Sequence, residues 1–161
     1  DLFATREFRG YRTLASRGAN GIDGQVSTFL GLAARSAEPV FGLLGDMTTL
    51  YDSNAFWVNR HLDSISYTLF VINNGGGKIF SRVNSLKDVP KEFLQRYLHQ
   101  AHDFDFSRVA LMWDLEFSSW QSIPPGIEPG GKHLVEIRPN ESQTEMFRRL
   151  YANLFERKFS A

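Results

Sequence analysis

The stretch GDMTTLYDSNAFWVNRHLDSISYTLFVINNGGGKIF, from Gly45 to Phe80, reads as the end of one strand, a helical crossover and the end of a second strand. The apolar run Val40-Phe41-Gly42-Leu43-Leu44-Gly45 stops at Asp46, and the run from Tyr67 to Ile72 stops at Asn73 and Asn74. Continuous apolar character of this kind suits a central parallel strand covered on both faces. Asp46 and Asn74 are 28 positions apart, enough for the dozen or more residues that a crossover between parallel strands requires. A carboxylate and an amide are thereby expected at one edge of a sheet, beyond the carboxyl ends of its strands, where open α/β folds bind ligands. One carboxylate, one amide oxygen and a backbone carbonyl from Gly75-Gly76-Gly77 make half of an octahedral oxygen shell. Magnesium completes such a shell with water and phosphate. Thr48 and Thr49 add two hydroxyls at a helix start, and the glycine run would let backbone approach a phosphate.

Each half of this pattern has a plainer reading. An Asp after a strand is often a helix cap, and Asn-Asn-Gly-Gly-Gly alone is often a turn. At matched strand ends, with Met47-Thr48-Thr49 after the Asp, the pair carries what neither residue does.

On the amino-terminal side, residues 10 to 17 contain a strand-like piece that ends at the turn 17 to 24, RGANGIDG. Val26, Phe29, Leu30 and Ala33 then recur at helical spacing until Glu38-Pro39 stops the pattern. The small residues Gly24, Ser27, Gly31 and Ala34 would let that helix pack close to a sheet or a neighbouring subunit. Leu50 to Leu62 reads as a helix with Leu50, Ala55, Val58 and Leu62 inward. On the carboxyl side, Pro90 starts a helix whose inward stripe is Phe93, Leu94, Tyr97 and Leu98. Residues 105 to 115 look like a short helix capped by Asp105. Glu116 to Trp120 reads as an edge strand, 124 to 131 as a breaker-rich loop, and His133 to Arg138 as a late strand. Glu141 to Phe159 closes as an amphipathic helix with Met146, Leu150, Leu154 and Phe155 inward. Alternation of this kind predicts one α/β domain over residues 1–161, a mostly parallel central sheet with helices on both faces. The loops 17–24, 45–50 and 73–80 would meet at one crevice.

Composition narrows the classes of function. The chain has 161 residues, 42% of them hydrophobic and 14% aromatic, enough to fill the core of a single domain. Its 18 basic and 18 acidic residues cancel, so no overall field favours nucleic acid or a membrane surface. No segment approaches the roughly 20 apolar residues of a membrane span, and the first residues lack the layout of a signal peptide. A soluble, cytoplasmic protein is expected. The absence of cysteine removes disulfides and thiolate chemistry. The four histidines form no site by spacing, and His99 and His102 with Asp103 and Asp105 read as an exposed helix end. Trp57, Trp113 and Trp120 read as core or interface aromatics. The start on Asp1, in mid-pattern, suggests a piece of a longer polypeptide.

A Gly-Asp followed 25 to 30 residues later by Asn-Asn resembles the magnesium and diphosphate motif of thiamine-diphosphate enzymes. Three words narrow the resemblance: SRGANGIDG at 16–24, GDMTTLYDSNAF at 45–56 and INNGGGKIFS at 72–81. Together they resemble the C-terminal cofactor-binding domain of the menaquinone-pathway (MenD) family of thiamine-diphosphate synthases. The resemblance covers most of the first 81 residues closely and the remainder in pattern. It implies a three-layer thiamine-diphosphate-binding fold, with magnesium or manganese held by the Asp46 and Asn74 side chains and the Gly76 carbonyl. Gly45 opens the cofactor motif, and Thr48 and the Asn20-Gly21 turn would contact the diphosphate or thiazolium side. Ile22 would lie under the cofactor and force its rings into a V shape. Ile79 and Phe80 would line the reaction centre, and Arg17, with its planar fork, would pair with a substrate carboxylate.

The family's transferase reaction joins 2-oxoglutarate, after loss of carbon dioxide, to isochorismate. A glutamate in the N-terminal pyrimidine-binding domain of a partner subunit activates the cofactor, so a homodimer or homotetramer is implied. Two departures stand out. Gly75 replaces an Asn or Asp common in relatives, and the family's serine-and-arginine substrate motif would fall ahead of Asp1. This chain alone is therefore expected to be inactive. Two other readings stay open: a domain of an acetolactate synthase or 2-oxoacid decarboxylase, and a non-catalytic interaction domain that keeps the fold.

Overall fold

The computed structural model describes residues 12–16, 21–122 and 130–159. Among the described residues four strands form one sheet: β1 (Val40–Gly45), β2 (Tyr67–Ile72), β3 (Glu116–Trp120) and β4 (Lys132–Ile137), in the order β1-β2-β4-β3. Every pairing is parallel. The α-helices are α1 (Gln25–Ala33), α2 (Asp46–Tyr51), α3 (Lys91–Phe93), α4 (Ser107–Met112) and α5 (Glu141–Phe159). The α/β class and the parallel sheet are those expected, and β2 and α5 have the predicted bounds.

The register positions everything that follows. Gly45 pairs with Ile72, Ile72 with Ile137, and Trp120 with Ile137. All four strands therefore end in one row, and the residues after them leave the sheet side by side.

One face of the sheet carries the core. Tyr67, Leu69 and Val71 alternate onto it from β2 and Leu134 from β4, all fully buried. Val26, Phe29, Leu30 and Ala33 of α1 close over them with Phe56, Phe106, Val109 and Ala110. Phe29 meets Tyr67 edge-on with ring centroids 5.4 Å apart. It also lies against Gly42, where a Cβ would come within 2.7 Å of its ring. Glycine at 42 thus lets an aromatic ring sit directly on the backbone of β1.

Several expected details differ. β1 is an edge strand among the described residues, and on its outer face Leu43 is 68% exposed. Its continuous apolar run holds its place through Phe41, which stacks on Phe70, itself in contact with Trp120. Residues 12–16 are irregular and exposed rather than strand-like. The small-residue face of α1 does not pack on the sheet, for Ser27, Gly31 and Ala34 are exposed.

The helix expected over 50–62 is divided at Asp52. The Asp52 carboxylate turns to α1 and accepts the Ser27 N–H at 2.7 Å and its hydroxyl at 3.0 Å, satisfying a first-turn donor that helix geometry leaves open. The chain continues as a 3-10 helix over Ser53–His61. Three residues per turn place Phe56 and Asn59 on the inner side, and Val58 is exposed. After Pro90 the chain widens into a π-turn over Leu94–Leu98, so a stripe drawn at 3.6 residues per turn fails. Only Leu94 is buried, and Phe93 packs on Tyr97 near the surface. Met146 and Leu150 of α5 are exposed; the side chains of Leu154 and Phe155 lie outside the description.

Asn59 closes the base of the core by donating to the Tyr67 hydroxyl at 2.9 Å. Burial pushes the Tyr67 phenol up to about 12, opposed by the Asn59 hydrogen bond. The folded chain therefore keeps this proton after the unfolded chain has lost its own near pH 10. Tyr67 stabilises the fold fully below about pH 10, and that contribution disappears as pH rises through about 12, amounting to about 2 to 3 kcal/mol. Denaturant unfolding at pH 9 and pH 11.5 should show a loss of stability that is clearly smaller in Tyr67→Phe; an equal loss in both chains would assign it to other groups.

Candidate functional site

Asp46 leaves β1 at the row of strand ends and is 3% exposed. A buried carboxylate needs hydrogen-bond donors, and the loop after β2 supplies them. Its Oδ2 accepts the N–H of Gly75 at 2.9 Å and of Gly76 at 2.8 Å, and its Oδ1 accepts the N–H of Met47 at 2.7 Å. His102 brings Nε2 to 3.3 Å from the same Oδ2.

The two asparagines part company. Asn73 points inward, donating from Nδ2 to the Phe104 carbonyl at 2.9 Å and to Glu136 Oε1 at 2.6 Å, while its Oδ1 accepts from Gly75 at 3.2 Å. Asn74 is exposed and makes no hydrogen bond among the described residues. Side chains of consecutive extended residues point to opposite sides. One amide is thereby spent on the fold, and the other keeps its oxygen open.

Glu136, on β4, is 1% exposed. It is satisfied by Asn73 and by Arg138, whose Nε lies 3.0 Å from Oε2. The hydrogen bond that Arg138 donates to Glu136 holds its guanidinium above its usual pKa. Asp105 lies 3.8 Å from Arg138 and accepts the Ser107 N–H at 2.8 Å. Its hydrogen bonds to Ser107 hold its carboxyl below the usual carboxylate range, with the Arg138 and Arg108 charges adding to the effect. Asp105 is therefore not the cap expected of it: α4 runs Ser107–Met112 with Phe106 at the N-cap, and Asp105 bonds its first residue from one position earlier.

The glycine run serves another purpose than the one its composition suggests. Gly75 and Gly76 have φ values of 82° and 128°, which L side chains rarely adopt. A Cβ on Gly76 would stand 2.5 Å from the His99 carbonyl oxygen, and one on Gly77 would stand 2.9 Å from that of Leu98. The Gly77 N–H donates to the His99 carbonyl and the His102 N–H donates to the Gly75 carbonyl. The bare faces are filled by the segment 98–102, and the N–H groups of all three glycines are already engaged. They are not available to cradle a phosphate.

The remaining sequence-derived residues fall as follows. Thr48 is half-buried, whereas Thr49 is fully buried with its hydroxyl donated to the Gly45 carbonyl at 2.9 Å, so only one of the two threonine hydroxyls is open. Gly21 and Ile22 lie in the turn before α1, and Ile22 is exposed. Ile79 and Phe80 follow the glycine run and are exposed. Arg17 and Asn20 lie outside the described residues. The open oxygens at this edge are Asn74 Oδ1, a second lone pair on Asp46 Oδ1, and the Gly76 carbonyl, which accepts only the Lys78 N–H at 2.8 Å. These are hard donors of the kind magnesium or manganese takes. Three donors, one of them a carboxylate, leave half of a six-ligand shell to phosphate and water. No cluster of three or more His, Cys, Asp or Glu side chains able to hold a metal occurs among the described residues.

Sequence reasoning missed three participants. Glu136 was visible only as a charged residue in the alternating strand HLVEIR. Asn73 was passed over for its neighbour. His102, expected on an exposed helix end, has 17% of its side chain exposed and sits against Asp46. Its spacing carried no signal, because a turn of irregular chain delivers it.

No family model matches the chain. It is 36% identical over 154 residues to the 2-succinyl-5-enolpyruvyl-6-hydroxy-3-cyclohexene-1-carboxylate synthase of Bdellovibrio bacteriovorus, covering 94% of this chain and 27% of that protein. The synthase of the same name from Akkermansia muciniphila is 38% identical over 144 residues, with 86% and 27% covered. That of Serratia proteamaculans is 36% identical over 141 residues, with 83% and 24% covered. The chain spans about a quarter of the length of these curated relatives. Among solved structures, the Rhodococcus jostii RHA1 thiamine diphosphate-dependent 4-hydroxybenzoylformate decarboxylase shares the fold. Its TM-score is 0.50 and its identity 17%, over 70% of this chain and 22% of that one. Over nearly its whole length, then, the chain resembles one segment of the 2-succinyl-5-enolpyruvyl-6-hydroxy-3-cyclohexene-1-carboxylate synthases and takes the fold of a thiamine-diphosphate-dependent enzyme.

Proposed function

We propose that this chain is the diphosphate- and metal-binding domain of a thiamine-diphosphate-dependent synthase acting on 2-oxoglutarate and isochorismate. The observation that carries the reading is the pairing of Asp46 with the Gly75-Gly76 amides beside an uncommitted Asn74. That pairing falls inside the stretch 45–81, whose words resemble those of the thiamine-diphosphate synthases.

Asp46 Oδ1, Asn74 Oδ1 and the Gly76 carbonyl would hold magnesium, which would supply positive charge for the diphosphate. Thr48 donates its hydroxyl toward the same group, with Gly45 closing the turn beneath it. The Asn20-Gly21 turn and Ile22 receive the heterocyclic part of the cofactor, and Arg17 pairs with a substrate carboxylate. Thiamine diphosphate, when bound, supplies an electron sink for loss of carbon dioxide from a 2-oxoacid and for carbon–carbon bond formation. Ile79 and Phe80, uncovered in this chain, exclude water from the reaction centre once the other half of the site covers them.

That other half is the N-terminal pyrimidine-binding domain of a partner subunit in a homodimer or homotetramer. Glu136, the carboxylic acid most buried here, is already bound to Asn73 and Arg138 and is not free to activate a cofactor. Among the described residues no helix is long and apolar enough to cross a membrane, consistent with a cytoplasmic enzyme.

The 161-residue chain alone should give no measurable synthase turnover, and the full-length protein should convert isochorismate with 2-oxoglutarate in preference to pyruvate. Turnover by the isolated chain, or a preference for pyruvate, would refute these assignments.

Asp46→Ala and Asn74→Ala in the full-length protein should abolish magnesium-dependent binding of thiamine diphosphate in calorimetry. Asn74→Ala should leave thermal stability unchanged. Asn73→Ala should instead destabilise the fold by about 1 to 3 kcal/mol, because it leaves the Phe104 carbonyl and a buried Glu136 oxygen without a donor. Reversed phenotypes for the two asparagines would exchange their roles.

A further inference from the structure

His102 has no place in the metal and diphosphate pattern, yet its ring lies against the carboxylate at the centre of it. Its Nδ1 accepts the N–H of Phe104 at 3.1 Å. A ring nitrogen that accepts carries no proton, so the ring proton is on Nε2. That nitrogen is buried, makes no aligned hydrogen bond, and lies 3.3 Å from Asp46 Oδ2. The Phe104 N–H thus excludes one other role: with Nδ1 already accepting and the proton on Nε2, neither nitrogen offers a lone pair to a metal.

We propose that His102 is a positioning residue for Asp46. Its Nε2–H, with the Gly75 and Gly76 amides, surrounds Oδ2 with donors and turns Oδ1 toward the cation. Oδ2 faces three N–H groups and Oδ1 one, so the free lone pair of this carboxylate is on Oδ1. The segment that carries His102 is fixed by the same loop, since the His102 N–H donates to the Gly75 carbonyl and Gly77 donates to His99. Loop, ring and carboxylate form one unit in which the imidazole orients a ligand that it does not replace. Outer partners of this kind typically govern metal affinity by about 10- to 100-fold.

The inference rests on the metal-site reading, and the test separates the two. In the full-length protein, magnesium-dependent binding of thiamine diphosphate is measured by calorimetry for His102→Leu, His102→Gln and Asp46→Ala. Glutamine carries an N–H donor at about the reach of Nε2, and leucine carries none. The expected result is binding weakened about 10- to 100-fold in His102→Leu, largely restored in His102→Gln, and absent in Asp46→Ala, with similar thermal stability for the two His102 variants. Unchanged binding in His102→Leu beside lost binding in Asp46→Ala would overturn the role of His102 and leave the metal site standing. Unchanged binding in Asp46→Ala would overturn both. Independently of any variant, nitrogen spectra of histidine-labelled protein must show His102 protonated on Nε2 and bare on Nδ1. The opposite tautomer would overturn the proposal.

Discussion

The bond between the Asp46 carboxylate and the amides of Gly75 and Gly76 is the contact on which the rest of this edge depends. It joins the end of β1 to the loop after β2 across 29 and 30 residues of chain. It forms only because the parallel register ends both strands in the same row. A slip of one residue in that register would reverse which side chains face the core and carry Asp46 away from its donors. A carboxylate buried to this degree without donors would cost several kcal/mol. Core packing and the site are therefore not separate requirements: the alternation that buries Tyr67, Leu69 and Val71 also delivers the glycine loop to Asp46.

The glycines answer a second constraint. A loop that turns two consecutive N–H groups onto one oxygen must adopt positive φ, and the segment 98–102 then closes on its outer side at backbone contact distance. Side chains at 76 or 77 would push that segment away, and with it His102. The three-glycine run is explained by what it must touch within the chain. A phosphate brought to this edge would be bound through the cation and Thr48, not through the loop's amides.

Where a residue's neighbours in sequence determine its environment, the sequence was readable. The strands β2 and β4, the edge strand β3, the α1 stripe, α5 and the convergence of Asp46 with the Asn-Asn-Gly run all follow from local pattern and parallel topology. Legibility stops where a distant partner decides. The break at Asp52 comes from Ser27, 25 residues earlier. The shift from Val58 to Phe56 and Asn59 follows from that break, because a 3-10 turn has a different period. The outward stripe at Phe93 and Tyr97 follows from a π-turn that no periodicity announces. The placement of His102 depends on a loop that folds back onto glycines more than 20 residues away. Asn74 rather than Asn73 as the open amide came from the family resemblance, because alternation puts successive extended residues on opposite sides without saying which of the two faces the core.

Two carboxylates are nearly fully buried at this edge, and the way each is neutralised distinguishes them. Glu136 has a guanidinium at 3.0 Å as well as the Asn73 amide, so its charge is cancelled within the chain. Asp46 has only backbone amides and the His102 ring. Among the described residues no lysine or arginine lies within ion-pair distance of it. Amide dipoles hold an anion in place without removing its net charge. Asp46 is thus an oriented negative charge in a low-dielectric setting, where a cation is attracted far more strongly than in water. On the proposed reading its partner is a cation from outside the chain, and the neutral oxygens of Asn74 and Gly76 would complete a shell without adding charge. A single carboxylate leaves a divalent ion with one positive charge in excess, and that excess is what a diphosphate would meet.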